Sequence, residues 1–115
     1  MSLWKWNDVE LEIDMEDVDF QEKYETAFNA MAEDEKALQQ IGSISGFSNA
    51  YCAMYNKLFD GIFGEGTAEK LFKGKRNIGK VEDCYDSFIQ ECSKEVVEIN
   101  KRRAKRYAKY RPKSK

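Results

Sequence analysis

Histidine is absent from the 115 residues of this chain. The side chain most used as a neutral-pH general base and as a zinc ligand is therefore missing. Cysteine is scarce: Cys52, Cys84 and Cys92 are odd in number and show no C-x-x-C spacing, which argues against a zinc site. A thiol nucleophile would have no imidazole to activate it. Cys84 and Cys92 fall on an apolar helical stripe and read as small core residues. No apolar run approaches the ~18 residues of a membrane span. The opening Met1-Ser2-Leu3-Trp4-Lys5 has no signal-peptide apolar stretch. These absences argue against most nucleophilic and metal chemistry, no cofactor is implied, and the expectation is a non-enzymatic protein. A bacterial or phage-infected cytosol, or any other reducing compartment, is the expected setting.

What is present is charge, and it is sorted. Met1 to Phe63 carries four basic residues (Lys5, Lys23, Lys36, Lys57) against thirteen acidic ones, a net of 4 − 13 = −9. Gly64 to Lys115 carries fifteen basic and eight acidic, a net of +7, so the whole-chain value of −2 hides the polarity. Opposite blocks of charge can steer and dock partners. An apolar fraction of 42%, with seven Phe and six Tyr, supports one folded domain with a modest core.

Leu3 to Ile13 reads as a β-hairpin turning at Asn7-Asp8, with Trp6 opposite Val9, Trp4 opposite Leu11, and Ile13 on the same face. Lys5 then faces Glu10 on the other side. Asp17 or Asp19 can cap a helix with the stripe Phe20, Tyr24, Ala27/Phe28, Met31, Leu38 and Ile41, closed by Gly42. Asp34 interrupts that stripe, which predicts loosening over Ala32 to Glu35. Ser43 or Ser45 can cap a second helix with Phe47, Ala50/Tyr51, Met54/Tyr55, Leu58/Phe59 and Ile62 inward, the expected centre of the core. Gly64 and Gly66 break it, Thr67 can cap a short turn carrying Leu71 and Phe72, and Gly74 ends that turn. A phosphate loop is not indicated, because Gly74-Lys75 is followed by Arg76 and no strand leads in. The last helix begins near Gly79 or Lys80, with Val81, Cys84/Tyr85, Phe88, Cys92, Val96 and Ile99 as its stripe. Good helix formers continue to Pro112. The expected fold is mainly α: three to four helices, a short N-terminal hairpin and a long basic C-terminal helix. Residues 1–99 form the domain, and residues 100–115 are its basic helical extension.

Several segments resemble a known family of small proteins from phages and prophages of Gram-positive bacteria. Trp6-Asn7-Asp8-Val9-Glu10-Leu11-Glu12-Ile13-Asp14 followed by Glu22-Lys23-Tyr24-Glu25 is similar to that family's opening hairpin and acidic helix. Phe59-Asp60-Gly61-Ile62-Phe63-Gly64-Glu65-Gly66-Thr67-Ala68-Glu69-Lys70-Leu71-Phe72 resembles its central signature. Cys84-Tyr85-Asp86-Ser87-Phe88 and Lys109-Tyr110-Arg111-Pro112 sit where the family has comparable elements. Here the turn is Asn-Asp where the family has Asn-Gly, and the tail is shorter. The resemblance implies a role like that of tail assembly chaperones, with a structural tail protein, tail tube or tape measure, as partner. It implies no catalytic residue.

The acidic residues Glu10, Glu12, Asp14, Glu16, Asp17 and Asp19 alternate with apolar ones, as a solvated strand face and helix start would. The calcium-loop pattern lacks its glycine and terminal glutamate. The candidate partner-binding residues are Lys101, Arg102, Arg103, Lys105, Arg106, Tyr107, Lys109, Tyr110 and Arg111. Helical spacing places Arg102, Arg106 and Lys109 on one face, and Arg103, Tyr107 and Tyr110 on another. They can dock on an acidic protein, including a second copy of this chain in a homo-oligomer. They can also neutralise nucleic-acid phosphates while the tyrosines stack on bases, or remain a solvated helix end. The acidic first half disfavours a long polyanion laid across the body.

Overall fold

In the computed structural model, which describes residues 1–110, strands β1 (Ser2–Trp6) and β2 (Val9–Ile13) pair antiparallel. The register sets Trp6 against Val9, Trp4 against Leu11 and Lys5 against Glu10, as the alternation predicts. Lys5 Nζ lies 3.3 Å from Glu10 Oε2. Asn7 carries the turn at φ +53, a left-handed conformation that Asn tolerates better than most residues. Its side-chain amide donates to the Leu71 carbonyl at 2.9 Å. A two-stranded hairpin is marginal by itself, and this one is held by what its inner face covers. Trp4 and Ile13 are buried. The Trp4 ring stacks on Phe59 at 5.6 Å and meets Phe88 at 5.2 Å, while its indole N–H donates to Ser87 Oγ at 3.0 Å.

Helix α1 (Val18–Leu38) starts at Asp17, whose carboxylate accepts the Phe20 N–H at 3.0 Å. It runs unbroken past Asp34, so the predicted loosening over Ala32 to Glu35 is corrected. The carboxylate is half-exposed at the edge of the α1–α2 contact and pairs with Lys57 at 3.3 Å, which removes the reason for a break. The helix also ends at Leu38, before Gly42. Helix α2 (Ile44–Phe63) is capped by Ser43, whose hydroxyl accepts the Gly46 N–H at 3.1 Å. It buries Cys52, Met54, Tyr55, Leu58, Phe59 and Ile62, the largest buried set in the first three helices, and is the core's centre as expected. Phe47 lies outside it, 37% exposed, stacked on Tyr51 at the first turn. Gly61 lets α1 and α2 approach closely: a Cβ there would meet the Ala27 Cβ at 3.2 Å.

Gly64, at φ +114, ends α2. The short helix α3 (Thr67–Phe72) follows and buries Leu71 and Phe72. Its cap is Gly66; the Thr67 hydroxyl instead donates back to the Gly64 carbonyl at 2.7 Å. An N-cap must precede the first helical residue, and Thr67 is that residue. Helix α4 (Ile78–Tyr110) begins a residue earlier than read from sequence, with Asn77 accepting the Lys80 N–H at 3.0 Å. It buries Val81, Cys84, Phe88, Cys92, Glu95 and Ile99. Val96, expected in that stripe, is 38% exposed, and its neighbour Glu95 is buried in its place. The Glu95 Oε2 accepts the Met15 N–H at 2.6 Å, closing the link between β2 and α1. Its Oε1 has no directed hydrogen bond and is compensated by the Met1 amino group at 3.1 Å.

Glu95→Ala is expected to cost about 1–3 kcal/mol, because it removes the charged acceptor of the part-buried Met15 N–H. Denaturant melts should show exposed Glu98→Ala costing under about 0.5 kcal/mol. Removing residues 100–115 is expected to leave a cooperatively folding domain. The cut loses the 2.6 Å pair between Arg102 and Glu16, an exposed contact of about 1 kcal/mol or less. A truncated chain without a cooperative transition would contradict this division.

Candidate docking surface

Past Ile99, α4 leaves the body: every described residue from Asn100 to Tyr110 is exposed. The molecule measures 67 × 32 × 22 Å with a radius of gyration of 17.8 Å, against about 13 Å for a compact chain of this length. The exposed stretch carries Lys101, Arg102, Arg103, Lys105, Arg106 and Lys109 and no acid. Two of these cations turn back toward the body. Arg102 Nη2 meets Glu16 Oε1 at 2.6 Å, and Lys101 lies 3.8 Å from Glu98. Arg106 and Lys109 each lie 5.6 Å from the Tyr110 ring centre, so Tyr110 sits with these cations as well as on the face assigned to Arg103 and Tyr107. Tyr107 and Tyr110 are each 68% exposed. Arg111 lies outside the described residues.

The other half of α4 has the opposite character. Tyr51 donates its hydroxyl proton to Glu82 at 2.7 Å, and its ring meets Tyr55 edge-on; Tyr55 in turn meets Tyr85 at 5.0 Å. Burial first, then neighbouring Tyr55, Tyr24, Glu35 and Asp86, hold the Tyr85 hydroxyl above its ordinary range. Between the acidic and basic ends, Met15, Tyr24, Ile89, Val96 and Val97 line an apolar groove of about 320 Å³. Val96 and Val97 are 38% and 50% exposed. Helical spacing puts Glu82, Asp86, Ile89, Ser93, Val96, Asn100, Arg103 and Tyr107 along one side of α4, three or four residues apart. Sequence reading missed this seam, having assigned Val96 inward and treated the basic end separately.

Among the described residues, no three of His, Cys, Asp or Glu gather as metal ligands. No helix among them is long and apolar enough to cross a membrane. The arrangement offers a long exposed helix face with charge at both ends and apolar side chains between.

A family model matches residues 7–115, the hairpin turn through the basic end. The chain belongs to DUF6673, a family of unknown function. The basic extension thus lies within the span that defines the family. No curated protein and no solved structure matches the chain.

Of the three cysteines, Cys92 also lines the apolar groove, with only 5% of it exposed. All three are buried as free thiols. Burial pushes Cys84 up to about 12; burial, then Glu95 and Glu91, pushes Cys92 up to about 12. The fold therefore favours the neutral thiol, whereas an unfolded thiol ionises near ~8.5. That contribution is whole below about pH 8 and is lost as pH rises toward about 12. Denaturant melts should show stability falling above about pH 9, with thiol reagents reacting slowly at pH 8 until denaturant is added. Prompt labelling of Cys84 and Cys92 in the native chain would contradict their placement.

Proposed function

We infer that this chain is a non-enzymatic, protein-binding assembly factor, and that α4 is its docking element. One observation carries the reading: a helix anchored in the core continues past it as an exposed cationic rod. A helix presented this way suits an acidic or amphipathic helical segment on a partner, with apolar anchors giving affinity and charges giving orientation and on-rate. The segments that resemble phage and prophage proteins of Gram-positive bacteria suggest the partner class, a structural tail protein such as the tail tube or tape measure. The role is that of a tail assembly chaperone. The factor covers the partner's self-associating surface in the host cytoplasm until polymerisation replaces it.

Co-expression with the tape-measure and tail-tube proteins tests this reading. The full chain is expected to co-purify with one of them, and the chain cut after Ile99 to bind it at least tenfold more weakly. Absence of binding to either at micromolar concentration would overturn the proposal.

A second reading is an accessory protein that binds nucleic acid through the same extension. It is favoured by two exposed tyrosines among six cations. It requires binding that falls steeply with salt and vanishes on the same truncation. A flat low-salt gel-shift titration ends it.

A further inference from the structure

The side of α4 that carries Ile89, Val96 and Val97 matches the same side of a second α4 run in the opposite direction. We propose that two copies of this chain pair antiparallel along this seam, about a two-fold axis between Ser93 and Val97.

Three observations fit a second copy as occupant. Charge is sorted along the one helix: Ile78 to Lys94 holds Glu82, Asp83, Asp86 and Glu91 against Lys80 and Lys94, while Asn100 to Tyr110 holds six cations and no acid. Antiparallel pairing about that axis sets Glu82 and Asp86 of each copy opposite the stretch Arg103–Tyr110 of the other. A parallel pair would lay the six cations of one copy on the six of the other. The basic end also cannot satisfy its own acidic stretch, because Asp86 and Arg106 lie about 30 Å apart on one rigid helix at ~1.5 Å per residue. Finally, the exposed apolar residues Val96 and Val97 lie beside the axis, where a two-fold contact brings the same short stretch of both copies together. Ser93 and Asn100 flank them on the seam, and polar groups there favour one register. Arg102 and Lys101 are turned to Glu16 and Glu98 of their own chain and take no part.

This pairing is independent of the tail-protein reading, since it concerns the chain alone. Light scattering with size exclusion on the full chain, at tens of micromolar and low salt, is expected to give twice the 13.4 kDa chain mass and no larger species. Glu82→Lys with Asp86→Lys, and separately Arg103→Glu with Tyr107→Glu, should each weaken self-association at least tenfold. Glu82 also accepts from Tyr51, so far-UV circular dichroism and melting confirm that each variant is folded. Mixing the two variants, or combining all four changes in one chain, should restore the dimer, because both arrangements again place opposite charges across the seam. A monomer at all concentrations would overturn the proposal and leave the face to a different protein or to nucleic acid. A dimer indifferent to both charge reversals, or mixed variants that stay monomeric, would overturn it too.

Discussion

Phe88 is the contact on which the rest of the molecule depends. Its fully buried ring is packed on by Trp4, Phe59, Phe63 and Tyr24 at centroid distances of 5.2 to 6.3 Å. Those four partners come from β1, α2 and α1, so one side chain of α4 ties the whole body together. The hairpin could not persist without such a surface to cover, and Trp4 supplies the lid. Because α4 is fixed here and continues for several turns, its end projects as a rod with a defined direction. The exposed helix is consequently an outgrowth of the core.

Much of this was legible in sequence because the deciding patterns are local. The two-residue alternation set the hairpin register, and Ser43, Gly64 and the helical stripes set the element order. The exceptions share a cause: each depends on a partner distant in sequence. Asp34 looked like a defect in an amphipathic stripe until Lys57 stood across from it. Glu95 reads as surface and Val96 as core, yet the carboxylate is buried because an unpaired Met15 N–H lies where β2 passes into α1. With Glu95 taking the place of Val96 in the buried stripe, Val96 stands outward beside Val97, and the two form the apolar part of the candidate docking face. The basic end was plain from its composition. Its relation to Glu82 and Asp86 required knowing that one uninterrupted helix carries both.

The sorted charge of the chain thus acquires a geometry. Most of the acidic first half is the solvated surface of the hairpin and α1. The part that matters for docking is the contrast within α4, acidic beside the core and basic beyond it. Both proposals place their contact on this one helix. The family match covers both ends of the contrast.

The central claim is that α4 is one rigid helix from its anchor in the core to its basic end. Spin labels at exposed Gln90 and Ala108, with labelled chains diluted in unlabelled ones, test it through the distance within a single chain. Eighteen residues at ~1.5 Å per residue give a single narrow distribution near about 27 Å between backbones. A broad distribution reaching well below that value would mean the helix breaks beyond Ile99, and would contradict the account.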